Sequence, residues 1–469
     1  MNLFREGTRG IRGISGPLLF VENVKGAGYG ELVSVETSSG TRMGQILQAG
    51  EDFCIIQVFD GTMGLETGGT LVWLERDVMK IGIGDHLRGQ VLNGRGQPLE
   101  GGRPSDFEAF LPVSGLPINP ACRRSPSAPL ETGISALDLM NTLVRGQKLP
   151  VFAGPGLPAA EVAVRIARDT RAFSVQEEDS RFLLVFAAMG VTNREADYCM
   201  SALRDGEDAE ENGIFLLNTA GDSAAERLLT PRIALTIAEY FAFVKGYDVL
   251  VVMMDMLYYC EALREIGAAR EEVPGRRGYP GYMYSDLAEI YERAGCIAGG
   301  PGSVTQIPVI GMPDDDMTHP VVDLSGYITE GQVVLDRRLH EMGIFPPVDV
   351  LSSLSRLMNK GIGRGRTFES HRALADQLYA AYAKARDLDR LRLIVGDDGL
   401  NDVEKRYLRF GERFEQVFLG QKGDREKTGN SGRRTFAESE NAAWDVLSLL
   451  PASELYRLPR ALLERRLKG

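Results

Sequence analysis

Leu149-Pro150-Val151-Phe152-Ala153 runs directly into Gly154-Pro155-Gly156-Leu157-Pro158, and then into Ala159-Ala160-Glu161-Val162-Ala163. The order is a short apolar strand, a glycine turn and a helical pattern over Ala160–Thr170. That is the layout of a phosphate loop, in which backbone N–H groups at a helix N-terminus face an anion. A working loop also carries a lysine for the outer phosphates and a Ser or Thr for magnesium. The two positions expected to hold them read Ala159 and Ala160, and no Gly-Lys-Ser or Gly-Lys-Thr occurs in the chain. Taken alone, the fragment reads more readily as an ordinary glycine turn in which Pro158 fixes the first turn of a helix.

The surroundings of the loop alternate between strand and helix. Apolar runs at Leu149–Ala153, Phe182–Ala188, Ile214–Leu217, Val249–Met254 and Ile307–Ile310 read as buried strands. Helical patterns at Ala160–Thr170, Glu195–Arg204, Ala224–Val244 and Tyr284–Arg293 separate them. Such alternation predicts a parallel sheet covered on both faces. The run Val249–Met254 ends in Asp255, where an acid would help to hold magnesium beside a phosphate loop. Many buried strands end in an acid, so Asp255 by itself distinguishes little.

Outside this region the rhythm differs. Alternating segments at Gly30–Glu36, Arg42–Leu47, Phe53–Phe59 and Thr70–Leu74 are divided by turns at Ser39-Gly40, Gly50 and Gly61. This predicts a small β-barrel or sandwich. Asp85–Leu130 is rich in glycine and proline and reads as a connecting region. Beyond Asp349 no further strands are expected. Helical patterns occupy Arg372–Arg386, Val403–Phe418, Ser439–Leu450 and Leu455–Leu467, with a polar loop at Gln421–Gly432. Three domains follow: a barrel over 1–78, an α/β domain over 79–355 and a helical domain over 356–469.

Composition excludes several classes. With 469 residues, 43% of them hydrophobic, the chain can bury a large core, and a net charge of -12 argues against a nucleic-acid-binding body. The five cysteines show no CxxC spacing, so neither a zinc site nor a disulfide framework is indicated, and no metal ligands are assigned. The start Met1-Asn2-Leu3-Phe4-Arg5-Glu6 carries no signal-peptide pattern, and no run reaches the roughly 18 apolar residues of a membrane helix. Direct membrane insertion is not expected.

The segment Phe345-Pro346-Pro347-Val348-Asp349-Val350-Leu351-Ser352-Ser353-Leu354-Ser355-Arg356 resembles the signature of alpha/beta-type rotary ATPase subunits: proline, aliphatic, Asp or Asn, then Ser-x-Ser. Gly-Leu-Pro at Gly156–Pro158, Thr-Pro-Arg-Ile-Ala-Leu-Thr at Thr230–Thr236, Gly-Arg-Arg-Gly-Tyr-Pro-Gly-Tyr-Met-Tyr at Gly275–Tyr284 and Gly-Tyr-Ile-Thr-Glu-Gly-Gln at Gly326–Gln332 resemble the non-catalytic B subunits of V/A-type rotary ATPases in particular. The resemblance runs from about Gly10 to Gly420.

It implies an N-terminal β-barrel, a central P-loop-NTPase-like (RecA-like) α/β domain and a C-terminal α-helical domain. It further implies an alternating hexamer of three catalytic A and three B subunits, with central and peripheral stalk subunits as further partners. Such a head is soluble, cytoplasmic and peripheral to the membrane, and it couples ATP synthesis or hydrolysis to proton or sodium transport. ATP or ADP with magnesium would lie at A/B interfaces, held mainly by A. Arg356 falls where the family has an arginine that reaches into the neighbour's site, and a guanidinium suits phosphate oxygens at any working pH. Phe345 falls where relatives place a ring against adenine, although a core phenylalanine beside two prolines reads equally well. Gly154, Gly156, Asp255 and Ser355 are the remaining candidates for weak nucleotide contacts.

Catalytic subunits of the family carry a glutamate straight after the glycine of the strand that here ends Met189-Gly190, and this chain has Val191. A self-sufficient ATPase would need both that acid and the lysine. An interaction protein derived from the family is the alternative, and it would have no use for Arg356 in its signature setting. Gly396–Lys405 falls where relatives carry an acidic tip facing the central stalk.

Overall fold

The computed structural model describes residues 6–38, 40–100, 106–115, 118–172, 181–204, 212–300, 302–422 and 432–467. The expected turn residue Ser39, the prolyl stretch at Leu116-Pro117, residues 1–5 and most of the polar loop Gln421–Gly432 lie outside them. The chain divides into two compact units, residues 1–119 with 183–293 and residues 120–182 with 294–469.

The first unit opens with seven antiparallel strands: β1 (Glu6–Thr8), β2 (Ile11–Ser15), β3 (Leu18–Glu22), β4 (Glu31–Thr37), β5 (Gly40–Ala49), β6 (Phe53–Val58) and β7 (Leu71–Val78). Their order in the sheet is β1-β7-β4-β5-β6-β3-β2. The alternation in sequence becomes an inner face: Val33, Val35, Ile46, Ile56, Val58 and Val72 pack in one buried cluster. Register slips at Ile46/Gln48 and Glu31/Val33 mark bulges of the kind that bend a sheet on itself.

In the same unit, Val91–Asn93 and Phe182–Val191 flank Gly213–Thr219 in parallel, and Asp248–Met254 follows in the sheet order. All seven residues of Asp248–Met254 are buried, as a strand covered on both faces requires. The glycine-rich stretch read as a mere connection therefore also supplies an outer strand. Helix Ala224–Phe243 starts at Ser223, whose side chain accepts the Glu226 N–H, and it carries Pro231 inside.

The second unit contains the strands Val151–Ala153, Ser303–Gly311 and Gly331–Val334, with Val151–Ala153 parallel to both of the others. Against expectation, strand structure persists past Asp349. Leu354–Ser355 pairs antiparallel with Gly331–Gln332, because Gly331, at φ 137°, lets the Leu354 backbone approach closely. The helices that follow are His371–Val395, Asp402–Arg413 and Phe436–Leu447, then Arg460–Leu467. Asn401 with Glu404 and Thr435 with Glu438 form capping boxes that fix two of their starts. No helix among the described residues is long and apolar enough to cross a membrane.

Candidate functional site

The glycine turn after Val151–Ala153 uses up part of its own donor set. Pro155 and Pro158 have no N–H to offer. The Leu157 N–H donates to the Gly154 carbonyl (3.1 Å) and the Ala159 N–H to the Leu157 carbonyl (2.8 Å). Four positions that could point donors at a phosphate are thus either without a donor or already engaged. Counted from Gly154 at the eight-residue spacing of a phosphate loop, lysine falls on Ala160 and the hydroxyl on Glu161, one residue beyond the pair named from sequence. Either register leaves the loop without a cation.

Gly154 has a further partner that the sequence did not disclose. A Cβ at this position would run into the Asp315 carboxylate. Arg337 holds that carboxylate with two bonds of 3.0 Å and donates to the Pro155 carbonyl at 2.9 Å. Gly156, at φ 78°, turns the chain in the left-handed region and has open space beside it.

Asp255 and Val191 belong to the first unit. Asp255 caps helix Met256–Ala269, its carboxylate accepting the Leu257 N–H at 2.7 Å. Val191 is 1% exposed and ends the strand Phe182–Val191. The next carboxylate, Glu195, accepts from the backbone and hydroxyl of Thr192 (2.8 and 2.9 Å), starting the helix rather than facing a substrate. Gly190, at φ 67°, leaves room for the Tyr258 Cβ and the Arg227 guanidinium.

The segment Phe345–Arg356 is built differently. Phe345 is half-buried, precedes a cis peptide to Pro346, and its carbonyl accepts the Gln421 N–H at 2.7 Å. Ser353 donates to the Asp349 carbonyl (2.6 Å) and accepts from the Val334 N–H (3.0 Å). Ser355 donates to the Thr142 carbonyl (3.0 Å) and accepts from Gln147 (3.0 Å). Both serines face inward, so strand alternation turns Leu354 (51% exposed) and Arg356 outward. The Arg356 backbone is pinned to the Glu330 carbonyl (2.9 Å), and its guanidinium makes one bond, to the Thr329 carbonyl (3.1 Å). Among the described residues no carboxylate pairs with it.

The chemistry available is therefore asymmetric. The loop that should grip phosphate lacks its lysine and four of its N–H donors, whereas the Arg356 guanidinium, held at the Thr329 carbonyl, faces outward beside a strand. The Ser355 hydroxyl, named from sequence as a possible nucleotide contact, is committed inside the fold. Sequence reading also missed Gln421, whose side chain accepts from the Ser135 N–H (2.7 Å) and donates to the carbonyls of Gly133 and Gly432 (both 2.9 Å).

Family models match along most of the chain. Residues 11–73 match the beta-barrel domain of the ATP synthase alpha/beta family, 133–355 its nucleotide-binding domain, and 360–467 the C-terminal domain of V and A type ATP synthases. V-type ATP synthase beta chains from two strains of Thermus thermophilus are each 50% identical over 465 residues, spanning 98% of this chain and 95% of theirs. The solved structure of NeqB, described as a unique ATP synthase subunit from Nanoarcheaum equitans, aligns with a TM-score of 0.72 at 36% identity, covering 93% of this chain and all of that one. With a barrel, a nucleotide-binding α/β domain and a helical domain in that order, the chain belongs to the ATP synthase alpha/beta family, among the V-type beta chains.

Proposed function

We propose that this chain is a non-catalytic, regulatory B subunit that completes the ATP site of a neighbouring catalytic A subunit and has no hydrolytic site of its own. The observation that carries this reading is the outward guanidinium of Arg356, with no carboxylate partner among the described residues, on a segment anchored by two buried serines. The loop at Gly154–Ala159, without lysine and with four of its donors absent or engaged, supports the other half. The loop does not fit a triphosphate, so no chemical step runs through it; Gly154, Gly156 and Asp255 are remnants. ATP or ADP with magnesium is held mainly by A, and Phe345 lies near the adenine.

In this reading three copies alternate with three A subunits in a soluble head at the cytoplasmic face of the membrane. The head couples ATP synthesis or hydrolysis to proton or sodium movement through central and peripheral stalk subunits. The barrel domain ends near residue 78 and the α/β domain near 355. Arg356 neutralises charge on the phosphoryl group in the transition state, an effect worth about 10³–10⁵ in rate where arginine fingers act.

The test is reconstitution with the A partner. The isolated chain is expected to show no ATP hydrolysis. The complex is expected to lose turnover by at least about a thousandfold on Arg356→Ala while assembly is retained. Hydrolysis by the isolated chain, or full turnover in the Arg356→Ala complex, overturns the proposal.

A further inference from the structure

Helix Asp402–Arg413 widens into a π turn over Phe414–Leu419, a geometry that inserts one residue and redirects the side chains around it. The redirected region includes Glu415, a carboxylate 5% exposed. It accepts from the Tyr382 hydroxyl at 2.7 Å and from the Arg338 guanidinium through both terminal nitrogens, and Arg386 stands 3.8 Å away. Tyr382 and Arg386 lie on the helical domain's long helix His371–Val395, whereas Arg338 lies on the short helix Arg337–Glu341 that leads into Phe345. Six residues beyond Glu415, the Gln421 N–H reaches the Phe345 carbonyl at 2.7 Å.

Two links thus tie the helical domain to the segment carrying Arg356, one just before it and one at its first residue. That segment is continuous with strand Gly331–Val334: the Asp336 N–H donates to the Pro347 carbonyl (2.8 Å) and the Asp349 N–H to the Val334 carbonyl (2.9 Å). Moving helix Arg337–Glu341 therefore moves the base on which Arg356 stands. A buried ion pair is poor evidence of a stability role, because desolvation of the charges offsets most of their attraction. What it does fix is geometry, since moving Arg338 away strips the buried Glu415 carboxylate of two charged hydrogen bonds.

We propose that Glu415, through Arg338, is a positioning residue for Arg356: the helical domain sets where the finger segment stands, and with it the rate at the neighbour's site. This rests on the reading of Arg356 given under Proposed function. Steady-state ATP hydrolysis of the reconstituted complex with A tests it, with each variant's assembly and melting temperature measured alongside.

Glu415→Gln and Arg338→Gln are each expected to lower kcat about tenfold, as loss of alignment does, with assembly retained. KM is expected to stay within about twofold, since ground-state binding is untouched. The double variant is expected to be no slower than either single one, because both break the same link. Tyr382→Phe removes a hydrogen bond from the same carboxylate but leaves the Arg338 pair; it is expected to lower the melting temperature and hold kcat within about twofold.

The inference is overturned if Glu415→Gln and Arg338→Gln both keep parental kcat in complexes where Arg356→Ala abolishes turnover. It is equally overturned if Tyr382→Phe slows turnover as much as they do, which would mark the cluster as structural only. Should Glu415→Gln not fold, Arg338→Gln, on a side chain about one-third exposed, carries the test alone. Full turnover in Arg356→Ala would instead remove the finger reading itself, an outcome read from a different variant.

Discussion

Arg337 closes a two-pronged pair on Asp315, both bonds 3.0 Å, and donates its remaining bond to the Pro155 carbonyl at 2.9 Å. Asp315 holds a left-handed backbone conformation, φ 54°, to present its carboxylate to Gly154. The turn is therefore fixed by side chains far away in sequence.

A methyl group at Gly154 has no room beside that carboxylate. Gly154→Ala is expected to destabilise the protein by about 1–3 kcal/mol, the usual cost of overpacking. Asp315→Gly removes the obstructing group and relieves the positive φ, so the double variant is expected to recover part of the loss. Chemical denaturation of the four proteins measures this; full additivity of the two single effects would show that the clash is not the cause.

Adding back the missing loop residues is not expected to create an enzyme. Ala160→Lys with Glu161→Thr supplies a cation and a hydroxyl but leaves Pro155 and Pro158 without donors and Val191 in the core. The isolated double variant is expected to show no ATP turnover in a coupled assay. Measurable hydrolysis would mean that the prolines and the valine are not the barrier.

The charge of Arg356 alone is not expected to suffice. Arg356→Lys keeps a cation but loses the planar fork, so the reconstituted complex is expected to stay at least about tenfold below parental turnover. A lysine variant with parental activity would reduce the role to simple electrostatics.

His371 gives the second unit a pH dependence. Its Nε2–H donates to the Leu139 carbonyl (3.0 Å), which leaves Nδ1 to accept from the Thr367 hydroxyl (3.0 Å). Burial lowers its pKa from 6.5 to about 4, so the folded state favours the neutral ring. The stability this contributes is complete above about pH 6.5 and is lost as pH falls through about 4, on the order of 3 kcal/mol in all. Thermal unfolding of His371→Gln between pH 7 and pH 4 is expected to show a flatter profile than the parent; an equal slope in both would assign the pH dependence to other groups.

Most of the architecture was legible in the chain because local pattern and burial agree. Asp248–Met254 is apolar throughout its length after the first residue and buried throughout, and the periodic stretch Ala224–Val244 became helix Ala224–Phe243. Ends were less legible: the long helix runs on from Arg386 to Val395, where exposed Leu393 and Ile394 give no amphipathic pattern. The two-residue strand Leu354–Ser355 was invisible because it depends on Gly331, distant in sequence. At the candidate site, the missing lysine could be read directly. Asp315, Arg337, Glu415 and Gln421 could not, since nothing in the order of residues states which polar side chains meet across the fold.

Val191, sealed in the sheet, has a consequence for history as much as for chemistry. An acid there would have to ionise in the interior, and lysine at Ala160, even holding a phosphate, would activate no water without that acid. No single substitution therefore restores hydrolysis, and the changes needed lie in two separate stretches of the chain. Under the proposed division of the site between two chains, that need for several changes at once holds this chain to its partner.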